Sequence, residues 1–174
     1  MKKGAGLLVF VLLLTTYYLS SIPGLGVLPV FRQVNAFLKS VDISISNLVY
    51  RIAARLPEQL GPARTLTEDF IIYARANPVI LEFLLRKTAH VVLFFCITMA
   101  LFLFLRHYFR NPWFATAVTF VVASTVAVLD EYHQSFVPGR SGSVVDVAID
   151  MVGVTAAIVL IIFSLVIARH YRHF

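Results

Sequence analysis

Residues 144–168 read VVDVAIDMVGVTAAIVLIIFSLVIA, an apolar run whose only charged side chains, Asp146 and Asp150, stand near its start. At about 1.5 Å per residue a helix of this length extends about 37 Å, enough to cross a hydrocarbon core of about 30 Å. The run reads as a transmembrane helix. Three further runs reach the roughly 17 residues that a crossing requires: 4–21, behind Met1-Lys2-Lys3; 88–105, between Arg86-Lys87 and Arg106; and 113–129, between Pro112 and Asp130. Composition agrees with four crossings, since 59% of the 174 residues are hydrophobic and 14% are charged, with a mean hydropathy of +0.84. A soluble domain carries roughly 25% charged residues. The chain is therefore predicted to be an all-α integral membrane protein built as a four-helix transmembrane bundle. Disordered and collagen-like classes are excluded by the apolar content and the lack of a glycine repeat, and a disulfide scaffold by the single cysteine, Cys96. A net charge of +6 would suggest nucleic acid in a soluble chain. Here many of the Lys and Arg residues flank apolar segments, where membrane orientation and anionic headgroups account for them, and no nucleic acid is expected as a partner.

The first run has the lysine-rich front and apolar middle of a secretory signal. It is long for one, and Leu19-Ser20-Ser21-Ile22-Pro23 is a poor cleavage site, so retention as an anchor is expected. In the segment 22–85, Val34, Leu38, Val41, Ile45, Leu48, Ile52 and Leu56 recur at steps of three and four, with Arg32, Asn35, Lys39, Asp42, Ser46 and Arg55 on other faces. This predicts an amphipathic helix lying on the membrane surface or over the bundle. Gly61-Pro62 breaks it, and Thr65-Leu66-Thr67-Glu68 has capping-box spacing for a second helix that Asn77-Pro78 interrupts. The chain reads as one membrane domain, 1–174, containing a helical extracytoplasmic insertion, 22–85. Four crossings place Lys2, Lys3, Arg106, Arg110, Arg169 and Arg172 on one side, while the loop 130–143 contributes only Arg140. By the positive-inside rule both termini of this multi-pass cell-membrane protein are cytoplasmic. The basic residues of 22–85 oppose that orientation, but the segment exceeds the roughly 60 residues over which the rule has force.

With this topology the unusual polar residues converge on the outer face. Lys87 and His90 open the second span; Asp130, Glu131, His133 and Gln134 close the third; Arg140 lies in the loop; Asp146 and Asp150 fall in the first turns of the fourth. Lys87 and His90 are three apart and Asp146 and Asp150 four apart, so each pair shares a helix face, and Gly153 continues the aspartate stripe. A lone carboxylate within a span costs about 2.5 to 3.5 kcal/mol on insertion scales, less near the interface. Asp150 therefore needs a partner, and Lys87, His90 and Arg140 are the candidates. His90, Asp130, Glu131, Asp146 and Asp150 are read as candidate catalytic groups and Lys87, Gln134 and Arg140 as candidate substrate-binding groups. Plainer readings stand beside these. Lys87 and Arg86 also fit headgroup anchors, His90 an interhelical hydrogen bonder, and Asp130 and Glu131 a solvated helix end, although adjacent acids there oppose the helix dipole.

The stretches RKTAHVVLF at 86–94 and DEYHQSFVPGRSGSVVDVAIDMVG at 130–153 resemble the VanZ-like family, and the Leu19-Ser20-Ser21 end of the first span is similar too. The likeness covers 4–21 and 86 to about 167; the segment 22–85 is larger than the connection expected of the family, and no role is carried over to it. The resemblance implies a small multi-span protein linked to glycopeptide resistance, teicoplanin especially, without supplying a reaction.

Three functions compete. In the first, a membrane enzyme acts at the outer face on a cell-envelope lipid or lipid-linked intermediate, His, Lys and Arg holding a phosphate or carboxylate while Asp or Glu serves as general base. A variant holds a divalent cation on Asp130, Glu131, Asp146 and Asp150, oxygen-rich and so closer to a Mg or Ca site than a Zn site, though no known metal spacing is matched and the cofactor is left unknown. In the second, the site binds a lipid headgroup or a glycopeptide antibiotic, or gates an amphiphile, without catalysis. In the third, the ions only lock the helices together. No phosphate-cradling glycine motif, G-x-S-x-G, H-E-x-x-H or paired C-x-x-C occurs, so nucleotide hydrolysis, serine-hydrolase, zincin and thiol-redox mechanisms have no support. Without an internal repeat a stand-alone transporter is disfavoured, although a homodimer could supply a second half.

Overall fold

The computed structural model describes residues 2–23, 33, 36, 78–140 and 142–171. Among them lie four long helices and no strand: α1 (Lys2–Ser21), α2 (Pro78–Leu105), α3 (Pro112–Gln134) and α4 (Val144–Tyr171). Each is long and apolar enough to cross a membrane. The amphipathic helix expected over 34–56 and the capping box at 65–68 fall, but for residue 36, outside the described residues. The chain divides into two compact units, Met1–Leu25 with Lys87–Phe174, and Gly26–Arg86. Within the second, the opening turns of α2 carry an ion pair between Arg86 and Glu82 at 3.8 Å, four residues apart on one face.

Local chemistry sets the helix boundaries. α2 starts at Pro78, ten residues ahead of the apolar run, with the fixed φ and missing N–H of proline suited to a first helical position. α3 starts at Pro112 behind Asn111, whose side-chain oxygen accepts the N–H groups of Trp113 at 2.9 Å and Phe114 at 3.5 Å. It runs on to Gln134, five residues past the end of its apolar run. α4 is capped by Ser143, whose Oγ accepts the Val145 N–H at 3.1 Å.

Small residues bring the helices together. α3 buries Ala115, Thr119, Ala123 and Ala127, one per turn, and α4 buries Gly153, Val154, Ala157 and Ile161. Lipid supplies no hydrophobic drive between apolar helices, so close backbone approach and dispersion must hold them. Phe94, Ile97 and Leu101 of α2 complete the core against Ala123, Ala127 and Val154. The tightest approach is at Gly153, where a Cβ would fall on the carbonyl oxygen of Val91 and stand 3.0 Å from the Phe95 nitrogen. Several hydroxyls within the spans return to their own helix, as in Thr98 to the Phe94 carbonyl and Thr119 to the Ala115 carbonyl, both 2.7 Å. Leu7, Phe10, Tyr18, Val121, Val159 and Phe163 are each more than three-fifths exposed, a surface suited to acyl chains and rare on soluble proteins. Cys96, a free thiol, lies on that outward side.

The two ends of the bundle differ in charge. At one, Arg106 and Arg169 line a common cleft with Pro112 and Trp113. At the other stand the end of α1, the end of α3 and the start of α4, joined by the polar contacts described next.

Candidate functional site

Two ionic rungs join α2 to α4. The Lys87 ammonium pairs with Asp146, and one turn deeper His90 Nδ1 meets Asp150 Oδ1 at 3.1 Å. The three-residue step on one helix faces the four-residue step on the other, and the stripe ends at the Gly153–Val91 contact, which sets the helices close enough for both rungs. Lys87 and Asp146 are about one-fifth exposed, whereas Asp150 is 1% exposed. Of the three cations expected to compete for Asp150, His90 is the partner in place; Lys87 serves Asp146.

The last turns of α3 bring two more carboxylates to the same place. Asp130 and Glu131 are buried, each held by one donor: Gln134 Nε2 donates to Asp130 Oδ2 at 2.7 Å, and the Ser143 backbone N–H donates to Glu131 Oε2 at 3.2 Å. The second bond depends on Gly142, because a Cβ there would strike the Glu131 carbonyl; only glycine lets the loop settle on the end of α3. Thus each of the acids that oppose the α3 dipole has a hydrogen-bond donor from the protein.

As a result one ligand atom each from His90, Asp130, Glu131 and Asp150 lies within 4.8 Å of the others. At an effective dielectric of about 20, ionised carboxylates at that separation repel by about 3 kcal/mol per pair or more, so this grouping requires protons or a positive charge among the acids. The second oxygen of Asp150, Oδ2, is buried and has no hydrogen-bond partner among the described residues.

Around this centre runs a second layer that includes α1. Arg140, set by the turn over Pro138 and Gly139 with Gly139 at φ 77°, donates through Nη1 to Gln134 Oε1 at 3.3 Å and through Nη2 to the Leu19 carbonyl at 3.0 Å. It reaches the acids through Gln134. Gln134 Nε2 also lies 3.4 Å from Ser20 Oγ, and the Ser21 hydroxyl is 3.0 Å from His133 Nε2, with the Tyr17 ring centred 4.7 Å from the same imidazole and tilted 30° to it. All eight site residues named from the sequence therefore lie at one end of the bundle, and six of them join one network. His90, Asp130, Glu131 and Asp150 form its centre, Gln134 and Arg140 extend it to α1, and Lys87 with Asp146 forms a separate rung beside it. The close grouping of ligand atoms contains His90 and not Asp146, the fourth acid of the cation set considered from the sequence. Sequence reasoning missed Ser20, Ser21, Gly142 and Ser143 as parts of the site. Their signals were the serine pair at the end of an apolar run and a glycine beside the capping serine of the next.

Between α1 and α3 a groove of about 290 Å³ is walled by Leu13, Tyr17, Val126 and Leu129 and ends at Asp130 and His133.

Comparison with known proteins adds one match: the family model described as VanZ/LLP1 fits residues 6–167. No curated protein matches, and no solved structure matches.

Proposed function

The chain belongs to the VanZ/LLP1 family, and we propose that its polar end binds a cell-envelope lipid or lipid-linked intermediate and through it contributes to resistance against glycopeptide antibiotics. The observation that carries this reading is the groove between α1 and α3. An apolar groove between two helices long enough to cross a membrane, with an acid and an imidazole in its lining, matches an amphiphile in chemistry. Its volume lies at the lower end of the roughly 300–1,000 Å³ of small-molecule sites, suited to a headgroup and the start of one chain rather than a whole lipid. His90, Asp130, Glu131 and Asp150 then stand behind the headgroup as groups able to accept or donate a proton, with Arg140 and Lys87 as its cationic flank. The site faces outward in this reading, with both termini cytoplasmic, because Lys2, Lys3, Arg106, Arg110 and Arg169 belong to the opposite helix ends.

Val126→Trp tests the proposal by filling the groove without touching an ionisable group. Lipids retained by the purified protein, and lipids of membranes with and without it, are compared by mass spectrometry beside teicoplanin tolerance. Loss of a retained lipid and of tolerance at unchanged membrane abundance supports the reading. Unchanged lipid retention in the filled variant removes the groove as the binding place, and a membrane lipid profile and tolerance indifferent to the protein removes the function.

A further inference from the structure

We infer that His90, Asp130, Glu131 and Asp150 hold a divalent first-row metal ion of the Mn²⁺ or Zn²⁺ kind. Three helices place these four groups so that one ligand atom from each lies within 4.8 Å of the rest. Two ligands facing each other across a cation at about 2.0 to 2.4 Å stand about 4 to 4.8 Å apart, so the cluster has the span of a coordination shell. An acidic cluster alone would not argue for a metal. The independent sign is Asp150: it is 1% exposed, and its Oδ2 is buried with no hydrogen-bond donor among the described residues. A carboxylate oxygen is not kept bare in a bundle core without a positive partner.

The surroundings fit the same assignment. One oxygen each of Asp130 and Glu131 is steered by a donor outside the ligand set, Gln134 and the Ser143 N–H. Metal-ligating carboxylates are fixed in this way by an outer layer of hydrogen bonds. The Lys87 ammonium is engaged with Asp146, and the Arg140 guanidinium donates to Gln134 and to the Leu19 carbonyl. The donor set decides the class. Three carboxylates alone would suit Ca²⁺ or Mg²⁺; an imidazole nitrogen beside them shifts preference to borderline ions, and the general affinity order places Zn²⁺ above Mn²⁺. In function, and here the inference rests on the lipid reading above, the ion gives an otherwise acidic site an attraction for a phosphate group at the end of the groove.

The test uses the full chain in nanodiscs of phosphatidylcholine and phosphatidylglycerol. Mn²⁺ is titrated and the free-ion electron paramagnetic resonance signal recorded, with Zn²⁺, Mg²⁺ and Ca²⁺ as competitors. One Mn²⁺ per chain is expected, displaced by equimolar Zn²⁺ but not by equimolar Mg²⁺ or Ca²⁺. Affinity is expected to fall at least tenfold in Asp150→Asn and Glu131→Gln and to stay unchanged in Asp146→Asn, which lies outside the cluster, with helix content measured by circular dichroism in each. Pulsed measurements on the bound ion are expected to show an imidazole nitrogen that His90→Gln removes. Absence of a bound ion, of the nitrogen signal in the wild-type protein, or of any preference for Mn²⁺ and Zn²⁺ over Ca²⁺ overturns the assignment, including when the variants fail to fold. Lipid retention is measured in the same samples with and without a chelator. Lipid retained with no metal bound removes this inference alone, and metal bound with no lipid retained removes the lipid reading alone.

Discussion

Replacing Gly153 with Ala adds one methyl group at the place where α4 touches α2. The new carbon would fall on the Val91 carbonyl oxygen and stand 3.0 Å from both the Val91 carbonyl carbon and the Phe95 nitrogen. Ordinary contact between such atoms is about 3.5 to 4.0 Å, so the two helices must part by roughly 1 Å. Neither obstacle can rotate away, since both belong to the α2 backbone. Overpacking of this kind costs about 1 to 3 kcal/mol. The same displacement opens the His90–Asp150 bond from 3.1 Å to beyond hydrogen-bonding range, and a bond to a charged group contributes about 1.5 to 3 kcal/mol. Against these stands the better helix propensity of alanine, about 1 kcal/mol. The net expectation is a loss of roughly 1.5 to 5 kcal/mol, measured by denaturant unfolding of the wild-type and Gly153→Ala proteins in the same nanodiscs. A variant as stable as the wild type, or about 1 kcal/mol more stable as propensity alone would give, refutes the close approach and with it the explanation of why the rungs meet.

Four further outcomes are expected. A double-mutant cycle on Lys87→Met and Asp146→Leu should give a coupling of about 1 to 2 kcal/mol, between the values of exposed and buried pairs because each side chain is about one-fifth exposed; a coupling near zero removes the outer rung. Ser143→Ala should lower stability by about 1 kcal/mol through loss of the α4 cap while teicoplanin tolerance persists, since the backbone N–H that holds Glu131 is retained. Arg140→Lys keeps the charge and loses the fork that spans Gln134 and Leu19, so tolerance should fall at nearly normal membrane abundance; full activity of the lysine form would show that charge suffices. In a Cys96→Ala background, a cysteine at position 141 should label from outside intact cells and one at position 169 only after permeabilisation, and the reverse pattern would turn the site inward.

The crossings were legible because hydropathy averaged over some twenty residues is a strong signal, and each of the four apolar runs lies within a helix. Hydropathy says nothing, however, about helix that continues through polar residues. The first ten residues of α2 and the last five of α3 escaped it for that reason, and the latter carry Asp130, Glu131 and Gln134. The ladder faces were legible from spacing within each helix. Which cation meets which acid was not, because pairing depends on the register between α2 and α4, fixed by the Gly153 contact rather than by any charge. The part played by α1 was hidden further. Ser20 and Ser21 look like the end of an anchor until the fold brings Gln134 and His133 beside them, more than a hundred residues along the chain.

The Ser143–Glu131 bond also bears on how the chain is made. His90 emerges from the ribosome before α3, but the donor for Glu131 follows twelve residues after it, and Asp150 nineteen residues after. At about 5 to 20 residues per second, Glu131 waits about 0.6 to 2.4 seconds for the Ser143 N–H. The apolar length of α3 can hold it at the translocon meanwhile, but its last turn cannot settle until α4 arrives. Assembly of the site is therefore coupled to the synthesis of α4: a chain stalled before Ser143 leaves the Glu131 carboxylate without its donor at the end of α3, while Asp130 already has Gln134.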